Sequence, residues 1–223
     1  MLTELFRDRR LVIIDKPAGL PVHAGPRGGA SVEDHFPSLT RKPHGPWLVH
    51  RLDADTSGCL AIALTKTALV QAQSAFAEGL ARKTYWAIVR GKPKTTAGMI
   101  DAPLLKTNTR TGWRMEINQS GDRAVSEWRV LASDADITLL EMQPRTGRTH
   151  QVRVHCASLG CPIEGDPIYG DGNGKLALLA RALMLPLVPE IAAQAPLPPH
   201  MLELLNNHPL LVEAATRDPR KVS

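Results

Sequence analysis

The chain has 223 residues, 43% hydrophobic and 22% charged, a balance that allows a sizeable core and excludes a disordered chain. Its cysteines, at 59, 156 and 161, form no CxxC pair, which argues against a disulfide framework and against a cysteine-rich metal site. A net charge of +5 and a pI near 9.3 hint at a polyanionic partner.

The N-terminal MLTELFRDRRLVIID lacks both the apolar stretch and the cleavage site of a secretory signal, and no apolar run approaches a membrane span. A cytoplasmic protein with no membrane contact is expected. Residues 10–15 read as a strand, and KPAGLPVHAGPRGG after it as a loop set by Pro and Gly. A short helix can start at 31–36, TRKPHGP is a turn region, and WLVHRLDADTSG runs from a short strand into a loop. The pattern predicts a strand at 59–64, a helix at 66–80 closed near Gly79, and a strand at 84–91. Residues 92–125 read as one or two hairpins projecting from the body, and SEWRVLAS and DITLLEMQP as paired strands with a turn at 134–136. THQVRVHCASLG predicts a helix stopped by Gly160, followed by a long loop through CPIEGDPIYGDGNG. KLALLARALMLPL fits a strand or a helix, and PPHMLELLNN reads as a short helix entered through proline. Short strands with few helices predict an α+β fold with a mixed, largely antiparallel sheet, in a single domain over residues 1–223. No GxGxxG follows a strand and no Walker-type lysine loop occurs.

Two stretches concentrate positive charge. Residues 143–155, QPRTGRTHQVRVH, and 81–94, ARKTYWAIVRGKPK, contain no acid, so each is either a solvated face or a surface for an anion. Within 50–58, HRLDADTSG, charged and hydroxyl groups crowd the mouth of an apolar strand. Asp53 can cap a turn there in partnership with Arg51, or act as nucleophile or general base, with Asp55 as its competitor. If GRTHQVRVH is helical, His150 and Arg153 share a face at i,i+3, and Arg148 and Thr149 fall in the first turn, where N–H groups favour an anion. His50, His150 and His155 invite a metal reading, but no HExxH or finger-like spacing supports it, so no metal is expected. Ser57 beside His50 lacks the GxSxG elbow of a hydrolase. Tyr85 either packs in the core or reaches a pocket. Tyr169 reads as a loop anchor, and Trp86, Trp113 and Trp128 as packing residues.

Several blocks in order carry a resemblance: LVIIDKPAGLPVHAG at 11–25, VHRLDADTSGCLAIALTK at 49–66, RKTYWAIVRG at 82–91, SGDRAVSEWRVL at 120–131 and PRTGRTHQVRVHCASLGCPIEGDPIYG at 144–170. Together they resemble the RluA-type family of RNA pseudouridine synthases over residues 9 to about 205. HRLDxxTSG and GRTHQxR in this order are the specific elements. The resemblance implies isomerisation of a uridine in structured RNA, ribosomal or transfer, to pseudouridine, without a cofactor. It implies Asp53 as the catalytic carboxylate, Tyr85 stacked on or deprotonating the base, and Arg153 paired with the carboxylate. Arg51, Arg148, His150, Arg82 and Lys83 are expected on the RNA-binding side, and Leu52, Leu178 and Leu179 around the pocket. Relatives often have histidine where this chain has Leu179. The first family block starts near residue 9, so no separate N-terminal RNA-binding domain is expected, and the partner of this monomer is an RNA with an unpaired or flippable uridine. A noncatalytic RNA-binding module and, further off, a metal- or serine-dependent hydrolase are the competing readings.

Overall fold

The computed structural model describes residues 2–25, 28–40, 44–110, 112–134 and 136–216. The chain divides into two compact units, one of Met1–Tyr85 with Leu179–Pro196 and one of Trp86–Leu178 with Leu197–Ser223.

In the first unit, β1 (Thr3–Arg7) pairs antiparallel with β2 (Leu11–Lys16), and β2 antiparallel with β4 (Ser57–Ala63). The short β3 (Trp47–Leu48) also pairs with β4. The return segment β11 (Leu178–Leu185) lies parallel to β4 through Leu179 and Ala180, and β12 (Ile191–Gln194) lies antiparallel to β11. Every residue of β4 is buried, so its apolar run has no solvent face, as expected of a strand covered on both sides. A helical segment at Val32–His35 leads into α1 (Phe36–Leu39). Helix α2 (Lys66–Ala77) opens where the Thr65 hydroxyl accepts the Ala68 N–H at 3.2 Å, and is followed by Gly79 at φ +71°. Val12, Ile14, Leu52, Leu60, Ile62 and Ala180 form the core of this unit.

The chain leaves the first unit inside β5 (Arg82–Arg90). In the second unit β6 (Ala97–Asp101) pairs antiparallel with β9 (Val125–Asp134), and β9 with β10 (Ile137–Pro144). Strands β7 (Leu104–Thr109) and β8 (Gly112–Ile117) form a separate two-stranded hairpin. Helix α3 (Gln151–Ser158) ends before Gly160 at φ +75°. Near the C-terminus come α4 (Pro199–Leu205), with proline at its first position, and α5 (Pro209–Thr216).

The α+β class with a mixed, largely antiparallel sheet holds, and the ambiguous KLALLARALMLPL segment is a strand. Strands β1 and β12 and helix α5 are additional to the sequence reading. TELFR carries a Glu4–Arg7 ion pair at 2.6 Å, a spacing that suits a helix, yet pairing with β2 makes it an edge strand. Of the 92–125 region, β7–β8 is the expected hairpin, whereas β6 is recruited by β9. Parts of the expected turns at 40–46 and 134–136, and of the loop through 26–27, lie outside the described residues.

Candidate active site

The HRLDADTSG segment links β3 to β4. Its last glycine is demanded by packing: a Cβ on Gly58 would sit 2.3 Å from the Ala180 carbonyl oxygen, and its φ of +107° is open only to glycine. The Thr56 N–H donates to the Asp53 carbonyl at 3.2 Å and closes a turn. Around that turn Leu52 is buried in the core, Asp53 is half-buried, and Arg51 and Asp55 are exposed.

Lys16, at the end of β2, fixes this loop from below. It is fully buried, and its ammonium donates to the carbonyls of Pro17 at 2.9 Å and of Leu20 and Ala54 at 2.8 Å. The Ala54 carbonyl also accepts the Gly19 N–H at 2.9 Å, so one acceptor ties the 16–20 turn to the peptide after Asp53. Burial pulls the Lys16 ammonium down to about 8, against the opposing charges of Asp55 and Asp53. Lys16 lies in the KPAG block, whose composition alone marks a loop and gives the lysine no part. The signal is a lysine that ends the strand LVIIDK immediately before a Pro-Ala-Gly turn.

Tyr85 packs against the core cluster that contains Leu52 and Ala180. Burial pushes its phenol well up, reinforced by the negative charge of Asp53, so it stays a neutral phenol at physiological pH. Lys83, two residues earlier, lies 5.9 Å from the centre of the Phe76 ring, and burial lowers it to about 8. Arg82 is exposed. His50 accepts the Ala61 N–H at Nε2 at 3.0 Å and lies 4.8 Å from Phe76. Burial and the Lys83 charge lower it to about 4, which makes it a neutral structural imidazole. Leu179 stands opposite Ser57 in the β4–β11 pair and is fully buried.

In the second unit the GRTHQVRVH block is helical only from Gln151. His150 precedes the helix in the left-handed conformation at φ +53°, so it does not share a helical face with Arg153. Gln151 holds this entry: its carbonyl oxygen accepts from Thr146 Oγ at 2.7 Å and the Arg148 N–H at 3.0 Å, and its amide donates to the Val125 carbonyl and Ser126 Oγ, both at 2.9 Å. Arg153 is 3% exposed and forks onto Asp166, Nε to Oδ2 at 2.8 Å and Nη2 to Oδ1 at 2.7 Å. Asp166 also accepts the N–H groups of Ile168 at 2.9 Å and Tyr169 at 3.1 Å. Burial works to raise the Asp166 carboxyl, but Arg153 and these N–H groups together hold it below the usual range. Leu178, the last residue of its segment in this unit, is buried. His155 shares a 2.9 Å hydrogen bond with Ser126 Oγ.

The two basic stretches are less bare than their sequences suggest. Arg145 pairs with Glu127 at 2.8 Å, Arg90 with Glu164 at 2.9 Å and Asp171 at 2.7 Å, and Arg153 with Asp166. Arg148 is exposed, donates to the Arg123 carbonyl at 3.1 Å and lies 3.7 Å from Asp122. Among the described residues no group of three or more His, Cys, Asp or Glu side chains converges on a cation-sized space, and no helix is long and apolar enough to cross a membrane.

Comparison with known proteins places this arrangement. Residues 10–158 match the family described as RNA pseudouridylate synthase. An uncharacterised RNA pseudouridine synthase of Zymomonas mobilis is 44% identical over 209 residues, covering 90% of this chain and 95% of that protein. The ribosomal large subunit pseudouridine synthase D of Nitrosomonas europaea is 41% identical over 175 residues, covering 74% of this chain and 49% of that one. The structure of human RNA pseudouridylate synthase domain containing 4 superposes with a TM-score of 0.78 at 31% identity, covering 91% of each chain. With a family match over more than half of its length and close relatives over most of it, the chain belongs to the RluA-type RNA pseudouridylate synthases, enzymes that isomerise uridine in RNA.

Proposed function

We propose that this chain converts a specific uridine of a structured RNA to pseudouridine with Asp53 as the essential carboxylate, residues 1–223 serving as one catalytic domain in a cytoplasmic monomer. The observation that carries the assignment is the contrast between neighbouring aspartates. Asp53 is half-buried on a turn pinned through Lys16, and its charge reaches Tyr85, whereas Asp55 is exposed.

The reaction breaks N1–C1′, turns the uracil and joins C5 to C1′. The C5 proton is lost and N1 gains one, so no atom enters or leaves and no redox partner is needed. Attack at C1′, attack at the base, and abstraction of a sugar proton all require an ionised carboxylate against an extruded nucleotide. A phenol kept neutral by burial and by Asp53 suits Tyr85 to stacking under the uracil or donating a hydrogen bond, and makes it a poor acceptor for the C5 proton. Arg153 serves the same reaction as a rigid, permanently charged fork held by Asp166. Leu52, Leu178 and Leu179 supply apolar lining that retains the detached base. Arg51, Arg148, His150, Arg82 and Lys83 meet the RNA, with Arg51 steadying it once the target nucleotide has left its stack.

Recognition is local, by one stem and its loop. The name of the Nitrosomonas europaea relative makes ribosomal RNA the first substrate to test, ahead of a transfer RNA hairpin. Tritium release from a 5-tritiated hairpin of about 20 nucleotides is compared with release from the parent RNA. The two rates are expected to agree within about tenfold, or about 1.4 kcal/mol. An inert hairpin beside rapidly modified parent RNA would remove local recognition, and absence of release from every uridine-containing RNA would remove the isomerase assignment itself.

A further inference from the structure

The β7–β8 hairpin carries an aromatic and cationic stack to which the isomerisation chemistry assigns no task. In its register Lys106 faces Met115 and Asn108 faces Trp113, so Leu104, Lys106, Trp113 and Met115 share one face. Leu104 and Met115 are buried in a small core with Ala124 and Val154. Two residues nearer the tip, Trp113 leaves that core and is 40% exposed, contrary to the packing role the sequence suggested. Its ring stacks on His150, with centroids 5.0 Å apart and planes at 22°, and the Lys106 ammonium lies 4.6 Å from the indole centre.

His150 is built to hold that position. Its backbone takes the left-handed conformation that residues with a Cβ rarely adopt, and its Nδ1 shares a 2.9 Å hydrogen bond with the Tyr169 hydroxyl, which also accepts the Met115 N–H at 2.9 Å. The Tyr169 ring packs edge-on to His150 and beneath the Arg153 guanidinium, 5.3 Å from its centre. Core packing requires none of this for an indole that remains exposed. On this face Lys106 is the cation beside the indole, whereas Arg114 lies on the opposite face and pairs with Glu116 at 2.6 Å.

We infer that Trp113, backed by His150 and flanked by Lys106, is a stacking subsite for an unpaired nucleotide of the substrate RNA. A flat π surface with an ammonium beside it matches a base attached to a phosphate. The base slides over the indole, and the Lys106 ammonium moves from the ring to the adjoining phosphate. Such a platform tolerates any base, because each has a π face. The inference rests on the RNA-substrate reading, and binding measurements test it apart from turnover.

The test uses a labelled oligouridylate of about 10 nucleotides, scored by anisotropy and by tryptophan emission. Trp113→Leu is expected to weaken binding about 5- to 100-fold, while Trp113→Phe stays within about threefold. RNA should quench the tryptophan emission of the wild type, and that quenching should be largely lost in Trp113→Phe at saturating RNA, a readout that stands even if the leucine variant folds poorly. Wild-type affinity in a folded Trp113→Leu protein, or undiminished quenching in Trp113→Phe, overturns the subsite. An RNA-insensitive indole also overturns it. Failure of the wild type to release tritium while Trp113-dependent quenching persists would remove the isomerase assignment and leave the subsite standing.

Discussion

The Asp53 turn and the β7–β8 hairpin handle charge in opposite ways. At the turn a single cation, Lys16, is buried and saturated by three carbonyls, so it fixes backbone geometry. On the hairpin, Lys106 and Arg114 are exposed, resting on an indole or pairing with Glu116 at 2.6 Å. Desolvation makes a buried charge expensive and its partners hard to exchange, while exposed charges are screened by salt and can change partners. The first arrangement suits holding a reactive group still, and the second suits meeting a flexible polyanion.

The sharpest way to break this comparison is at the carboxylate. Asp53→Asn should lower tritium release at least about 1000-fold, with RNA affinity within about threefold of wild type. Asp55→Asn should change either by no more than about threefold. The reverse pattern would show that the pinned turn presents the other aspartate.

A second contrast sets a buried fork against an exposed one. Arg153→Leu leaves Asp166 buried and unpaired and should cost about 3–5 kcal/mol in urea denaturation. Arg145→Leu, whose partner Glu127 is exposed, should cost less than about 1 kcal/mol. Equal losses would mean that burial does not separate the two pairs.

Acid should act through His50. Its folded-state value, near 4, lies below the ordinary 6.5. Its contribution is therefore complete above pH 6.5 and is lost as pH falls through about 4. The loss is of the order of 2–3 kcal/mol. Urea midpoints from pH 7 to pH 4 for the wild type and His50→Gln should converge as acid removes the advantage. Parallel curves would show that His50 does not control this window.

The smallest effect is expected at the surface. Arg148→Ala should reduce RNA affinity several-fold and flatten the slope of log affinity against log salt by about one, leaving single-turnover rates at saturating RNA unchanged. An altered rate with unaltered affinity would move Arg148 into the reacting site.

Much of this fold was legible because its signals are local. Strand β4 announced itself as an unbroken apolar run, α2 through its helical spacing and Gly79, and the end of α3 through Gly160. The HRLDADTSG turn was recognisable as a cluster of polar groups at the mouth of that strand. Strands β1 and β12 were not legible, because each is too short to form without the neighbour that supplies its hydrogen bonds. Nor was the left-handed backbone of His150, which Tyr169 and Trp113 hold from outside the helix.

By itself, then, the sequence determined the α+β class, the family blocks and the short list of groups able to carry the chemistry, since these follow from residue type and near-neighbour spacing. Tertiary structure alone decided which charges are buried and with whom. It gave Asp166 to Arg153, Glu127 to Arg145 and Glu164 to Arg90, so each of two stretches without acids contains arginines paired with acids from elsewhere. It also buried Lys16 under the Asp53 turn and left Trp113 in the open. The physical reason is common to all of them: desolvation and ion pairing depend on what packs against a side chain, and the partners of the three arginines lie 13 to 74 residues away along the chain.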